Sequence, residues 1–307
     1  MNEIKTLRIN LLEAITQSLD LREFNEKSCQ ADILRIDKIH PIISGNKWFK
    51  LKYNIESALE QKCNTILTFG GAYSNHIIAV ATLANELGLK SIGIIRGEEP
   101  RELSHTLKSA KENAMQLNFI SREDFKNRSS ENYYKSLVDI YGDFYLIPEG
   151  GASAEGRKGT EEILSLVNYK KYSHIMCSIG TGTMYIGVVN SSEKEQQIIG
   201  IPALKGMVDL LDQYSLFIKE EKKDSCKIFY DYHFGGYAKK NPELINFMNY
   251  FFEKNNIPTD FVYTAKLLYA FYDLLKKDYF PKNSKILIIH SGGLQGNISL
   301  PANTLNF

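Results

Sequence analysis

The chain is poor in several features that mark whole classes of protein. It has four cysteines in 307 residues, Cys29, Cys63, Cys177 and Cys226, and no two are closely spaced. That scatter argues against a disulfide frame and against a metal motif, and reads as reduced thiols inside a cell. A formal net charge of +1 leaves no global field to attract nucleic acid or an acidic membrane surface. Lysine far outnumbers arginine, which argues against dedicated recognition of a phosphate backbone. No apolar run approaches the ~20 residues of a membrane span. Met1 to Ile15 mixes Glu, Lys, Arg and Asn with leucines and lacks the apolar core of a signal peptide. Internal repeats and low-complexity segments are also missing. The expectation is a cytoplasmic globular protein with no metal, nucleic-acid or membrane partner.

What is present is alternation. After an opening arm (residues 1–32, with Leu7, Ile9, Leu11 and Leu12 suggesting a docked extended piece) comes a short strand at residues 33–36. Apolar spacings of three and four predict helices at 47–61, 74–87, 104–114 and 132–141. Short apolar runs between them predict strands at 65–69, 91–95, 117–120 and 144–147. Pro148-Glu-Gly-Gly-Ala152 punctuates the chain. A second set follows, with helices at 154–167, 208–221, 242–255 and 263–277 and strands at 174–179, 197–201, 227–230 and 285–290. Such alternation gives an α/β fold of mostly parallel sheets flanked by helices. The expected division is a smaller lobe of residues 52–150 and a larger one of residues 1–51 and 151–307.

Three turns stand out. In Ser44-Gly45-Asn46-Lys47 a glycine turn opens a helix with a lysine at its first positions. The positive end of the helix dipole disfavours an ammonium there and lowers its pKa, which suits an amine nucleophile. A solvated surface lysine is the bland alternative. In Phe69-Gly70-Gly71-Ala72-Tyr73-Ser74-Asn75-His76 a strand, a glycine turn and a helix N-terminus make a ready anion site. Ser74 and Asn75 also read as plain N-caps. Gly180-Thr181-Gly182-Thr183 follows another apolar strand and offers consecutive N–H groups and two hydroxyls, which suit a phosphate. It lacks the Gly-Lys-Ser/Thr of a P-loop, and Gly187 comes too late for a dinucleotide fingerprint.

The order and spacing of these turns resemble the pyridoxal 5'-phosphate (PLP) enzymes of the tryptophan synthase β-like fold. The likeness is to the branch of 1-aminocyclopropane-1-carboxylate (ACC) deaminase and D-cysteine desulfhydrase, and it runs along nearly the whole chain. It implies two lobes, Lys47 as the Schiff-base lysine, and Gly180, Thr181, Gly182 and Thr183 as the phosphate grip. Asn75 would bond the cofactor's phenolic oxygen. Ser74, Asn75 and His76 would form the site of the substrate carboxylate, with Ser74 also moving protons. His76 replaces the glutamine of the deaminases. In Asp260-Phe-Val-Tyr263-Thr264-Ala265-Lys266, Tyr263 takes the place of the aromatic residue beside the ring and substrate, and Ala265 stands where the family tends to have glycine. Thr264 occupies a position that is glutamate in the deaminases and threonine in the desulfhydrases. Ser291, in Ser291-Gly292-Gly293, falls where a hydroxyl faces the pyridine nitrogen. Of the histidines, His76 and His290 sit at strand–helix switch points, and His40, His105, His174 and His233 read as incidental. The loop before Lys47 is shortened to Pro41-Ile-Ile-Ser44, which bears on the substrate entrance.

A carboxylate at the pyridine nitrogen keeps it protonated and makes PLP a strong electron sink, whereas a hydroxyl does not. Thr264 and Ser291 therefore favour α,β-elimination of an easy leaving group over cyclopropane opening. The resemblance thus implies a lyase acting on a small amino acid, D-cysteine desulfhydrase-like. ACC deaminase is the alternative within the family. A catalytically silent PLP or metabolite binder and a nucleotide binder using Gly180–Gly187 are the alternatives outside it. A homodimer is expected, with Tyr250, Phe251, Phe252, Tyr269, Phe271 and Tyr272 offering apolar surface, though each could equally be core.

Overall fold

The computed structural model describes residues 8–24 and 28–307. Along the chain run β1 (Thr16–Ser18), β2 (Gln30–Leu34), α1 (Asn46–Glu60), β3 (Thr65–Gly70), α2 (Asn75–Glu86), β4 (Lys90–Arg96) and α3 (His105–Glu112). Next come β5 (Met115–Ile120), α4 (Glu131–Tyr141), β6 (Tyr145–Ile147), α5 (Ala154–Thr160), β7 (His174–Ile179) and α6 (Thr183–Ser191). The chain closes with β8 (Gln197–Pro202), α7 (Leu210–Tyr214), β9 (Cys226–Ile228), α8 (Pro242–Asn255), α9 (Thr264–Lys276) and β10 (Lys285–Ile289).

Two sheets result. One has six strands in the order β1-β2-β10-β7-β8-β9, and the other four in the order β5-β4-β3-β6. Every pairing is parallel except β1 with β2. The central strands are apolar runs because helices cover both faces. In β10, Ile288 lies opposite Ile33 of β2 and Met176 of β7, and all three are buried. The Gly70-Gly71, Gly180–Thr183 and Ser291-Gly292-Gly293 turns lie at the carboxyl ends of β3, β7 and β10, the end at which parallel α/β sheets carry their ligands.

The lysine turn is held by a relay of contacts from the sheet. A buried ion pair joins Arg35 to Asp37 through two 2.8 Å bonds. The Asp37 carbonyl accepts from the Ser44 hydroxyl at 2.9 Å. Gly45 then turns at φ 63°, and the Asn46 N–H reaches the Ser291 carbonyl at 3.2 Å. A Cβ at Gly45 would overlap the Ser291 carbonyl. Glycine is required here by conformation and by space at once.

Five expectations change. The antiparallel β1 lies within the opening arm, where no strand was read. Leu11 and Leu12 stand in an exposed 3₁₀ turn instead of docking, Leu12 at 90% exposure, and Leu7 lies outside the described residues. The helix foreseen at 208–221 shrinks to α7, because the Asn190 side chain of α6 takes the backbone instead. Its Nδ2 donates to the Phe217 carbonyl at 2.9 Å and its Oδ1 accepts from Lys219 N–H at 3.0 Å. The helix foreseen at 154–167 stops at Thr160, whose hydroxyl is drawn to the Thr183 carbonyl, 3.0 Å away. Half of the aromatic stripe is core: Phe251, Phe271 and Tyr272 pack among Ile33, Met176 and Ile288.

Gly45→Ala should lower unfolding free energy by about 2–4 kcal/mol, from a strained φ plus overpacking. Denaturant titration reads this directly. A loss no larger than that of an ordinary surface substitution would mean that residues 44–46 and 291–292 do not meet as described.

Candidate active site

Lys47 stands on the first turn of α1, its Nζ donating to the Asn46 side-chain oxygen at 2.7 Å. Burial lowers its pKa to about 8, opposed by the Asp260 carboxylate. One turn on, on the same face, is Lys50, which the sequence reading missed. It is 5% exposed, and its Nζ donates to the Thr181 hydroxyl at 3.3 Å. Burial first, and Lys47 second, hold its pKa well below the usual lysine value. The i, i+3 spacing of two lysines was a signal that could have been read.

Lys50 thereby reaches the third glycine turn. Thr181 and Thr183 hydroxyls lie 3.0 Å apart, and Gly182 turns at φ 82° as N-cap of α6. A Cβ on Gly182 would overlap the Tyr214 ring, so the residue is fixed by packing as well. The first N–H groups of α6 are left facing this turn, as at any helix N-terminus. A Cβ on Gly180 would lie 3.2 Å from Tyr263 Cε1, which places the tyrosine ring against the same turn.

Tyr263 precedes α9, and burial keeps its phenol protonated far above the usual range. Tyr237, a second residue the sequence reading missed, packs its ring 6.2 Å away at 68°. Asp260 caps α9: its carboxylate accepts Val262 N–H at 3.0 Å, Tyr263 N–H at 2.9 Å and Thr264 N–H at 2.9 Å. The Thr264 hydroxyl also donates to Asp260. Thr264 is fully buried with its hydroxyl engaged in the cap. Ser291 Oγ lies 3.2 Å from Ser178 Oγ at the end of β7. His290 works in support. Its Nε2 donates to the Pro258 carbonyl at 2.8 Å and its Nδ1 accepts Gly292 N–H at 3.3 Å.

The Ser-Asn-His turn faces these groups from the four-stranded sheet. Ser74 Oγ caps α2, accepting His76 N–H at 3.2 Å and Ile77 N–H at 3.3 Å, and so keeps its own proton to donate. Asn75 Nδ2 abuts Gly293, where a Cβ would lie 3.1 Å from it. His76 is buried, and its Nε2 lies 2.8 Å from the Thr68 hydroxyl. Thr68 itself donates to the Ile147 carbonyl at 2.8 Å, so the proton between Thr68 and His76 belongs to Nε2. Burial, with Lys47 and Lys50 nearby, lowers the ring's pKa to about 3. His76 is therefore neutral, and Nδ1 is an acceptor with no partner. A neutral ring whose N–H is engaged by Thr68 has nothing to donate to a carboxylate.

The site thus couples a depressed lysine to a glycine turn bearing a second cation, the signature of an amine nucleophile beside an anion grip. A family model described as pyridoxal-phosphate dependent enzyme matches residues 9–292, and the chain belongs to that family. It is a PLP-dependent enzyme of the lyase and deaminase type. The relatives narrow the branch. A Bradyrhizobium sp. ACC deaminase is 26% identical over 286 residues, covering 82% of each chain. An Arabidopsis thaliana bifunctional D-cysteine desulfhydrase/ACC deaminase is 29% identical over 298 residues, covering 83% of this chain and 70% of that protein. A crystal structure of an ACC deaminase homologue superposes with a TM-score of 0.80 at 26% identity, covering 94% of this chain and 93% of that one.

The residues present fit the cofactor. Lys47 and Lys50 repel one another, and neither ammonium is bonded to a carboxylate. A phosphate dianion at the Gly180–Thr183 turn would supply the missing counter-charge. Among the described residues no group of His, Cys, Asp or Glu is arranged to hold a metal ion, and no helix is long and apolar enough to cross a membrane.

Lys50→Met should weaken PLP binding to the apo-protein roughly 10- to 100-fold, the range of one charge-assisted hydrogen bond. Pyridoxal, which lacks the phosphate, should bind almost unchanged, and an equal loss for both would remove Lys50 from the phosphate. A second measurement is the pH dependence of PLP capture. The neutral amine is the attacking form, so the rate should rise with pH to a midpoint near 8 and then level off, where an ordinary lysine would keep rising towards 10.5. Stopped-flow absorbance across that range decides between them.

Proposed function

We propose that this enzyme carries out α,β-elimination on a small amino acid, with D-cysteine as the model substrate and a 2-oxo acid, ammonia and sulfide as products. The observation that carries the reading is the absence of a free carboxylate among the groups assigned to the ring. Ser291 and Ser178 offer hydroxyls, and Thr264 is held in the helix cap. Asp260 is near enough to act on Lys47, but its oxygens are engaged by three backbone N–H groups and one hydroxyl. Without an ionic partner the pyridine nitrogen is weakly protonated. Elimination then works best when the leaving group departs easily, as a thiolate does.

Bound PLP supplies the carbonyl for amine exchange and the conjugated ring that takes up the electron pair from Cα. This chain's residues do the rest. Lys47, whose depressed pKa near 8 leaves a large neutral fraction, is the amine displaced by substrate, and once free it takes the α-proton. Ser74 donates its hydroxyl proton to the substrate carboxylate. Tyr263, protonated and packed against the phosphate turn, walls the ring. The β-thiolate leaves with its bonding pair, and the enamine is hydrolysed to the 2-oxo acid and ammonia.

The names of the relatives favour a second reading, opening of ACC to 2-oxobutanoate and ammonia. Purified holoenzyme offered D-cysteine and ACC in parallel separates the two. Sulfide and pyruvate from D-cysteine, with ACC left intact, is the expected result. ACC turnover without D-cysteine activity would return the protein to the deaminases. The working form is read as a cytoplasmic homodimer, for which the exposed Leu11, Leu12, Ile15 and Ile42 offer better apolar surface than an aromatic stripe half taken up by the core.

A further inference from the structure

Three side chains beside the site have no part in the steps above. Gln295 lies in the 3₁₀ turn that follows Ser291-Gly292-Gly293, and His105 and Thr106 open α3 in the layer of the four-stranded sheet. Gln295 Nε2 donates to Asn75 Oδ1. Gln295 Oε1 accepts from the buried Thr106 hydroxyl at 3.1 Å and lies 3.1 Å from His105 Nε2. Both ends of one carboxamide are thus engaged by the opposite lobe. The start of α3 is itself tied to the loop before Asn75, since the Ser104 hydroxyl donates to the Ala72 carbonyl.

We propose that Gln295 is a positioning residue that orients Asn75 and clasps the cleft. An asparagine amide presents either its oxygen or its NH₂ group to a given neighbour. With Oδ1 taken by Gln295, Asn75 is left with its NH₂ group beside Gly293. A cofactor phenolate needs a donor there. The inference rests on the reading that Asn75 meets the cofactor's ring oxygen. It adds that the donor end is selected by a residue from the 3₁₀ turn Leu294–Ser299. His105, which the sequence marked as incidental, belongs to the same cluster.

The experiment compares Gln295→Leu and Gln295→Glu with the wild type, in the full chain. PLP is titrated into each apo-protein, and the visible band of each holoenzyme is followed against pH. Gln295→Leu should weaken PLP binding about tenfold, since Asn75 loses its partner and its fixed orientation. Gln295→Glu offers only acceptors. It should turn the NH₂ group of Asn75 away from the cofactor, weaken binding further and move absorbance from the visible to the near-ultraviolet form. Pyridoxal without phosphate should show the same losses, because the contact is to the ring. In an Asn75→Ala background, Gln295→Leu should change affinity by less than about twofold, as no amide remains to orient.

Equal losses with and without Asn75, or an unaltered band and affinity in both single variants, would overturn the proposal. Thr106→Val removes one anchor of Gln295. It should give a smaller loss of the same kind, and serves if Gln295→Leu does not fold. Failure of the wild type to bind PLP would overturn the cofactor reading instead.

Discussion

The chemistry of this molecule depends on a close approach of two backbone segments, residues 44–46 and 291–292. There is no room for a side chain between Gly45 and Ser291, and one hydrogen bond closes the seam. That contact fixes where α1 begins, and so where Lys47 and Lys50 stand. The Arg35–Asp37 pair behind it is almost fully buried. Desolvation offsets most of the Coulomb gain of such a pair, so its value here is geometric. It holds the short loop whose carbonyl receives Ser44, and a loop of that length has little slack to absorb its loss.

Much of the fold was legible in the sequence because its signals are local. The bounds read for β7 and α8, 174–179 and 242–255, match the structure to the residue, and Asn241-Pro242 is a local cap followed by proline. The glycine turns were legible for the same reason. What failed was decided by distant partners. Asn190 ends the helix at 214 through groups nearly thirty residues away, and no pattern within 208–221 could reveal that. β1 is three residues long and exists only because β2 lies beside it. At the site, residue identity was easier to read than orientation. His76 was singled out, but its tautomer depends on Thr68 and Ile147, which the sequence does not connect to it.

The electrostatics of the site favour occupancy. Two lysines share one helix face in a buried setting, each depressed by desolvation and only Lys47 relieved by Asp260. Such an arrangement opposes folding of the empty protein and is relieved by an anion at the Gly180–Thr183 turn. Binding that relieves a strain of the native state also stabilises it by mass action. The neighbouring groups keep that strain from being quenched internally. His76 is neutral, Tyr263 is protonated and Asp260 is saturated by the start of α9.

The site is also divided between the two sheets in a way that separates its tasks. The carriers of charge, Lys47, Lys50 and the Gly180–Thr183 turn, share one body, joined by the Lys50–Thr181 bond and the Gly45 seam. Ser74 and Asn75, the groups proposed to meet substrate and ring, come from the turn after β3. A phosphate at the Gly180–Thr183 turn would meet Lys50 and the start of α6, which belong to one body. A shift of β3 relative to β10 would change the distance from Ser74 to Lys47, the two residues proposed to act on substrate. Contacts across that gap, at Gly293 and Gln295, therefore set how Asn75 stands towards the ring it is proposed to meet, and would leave a hold on phosphate largely unaltered.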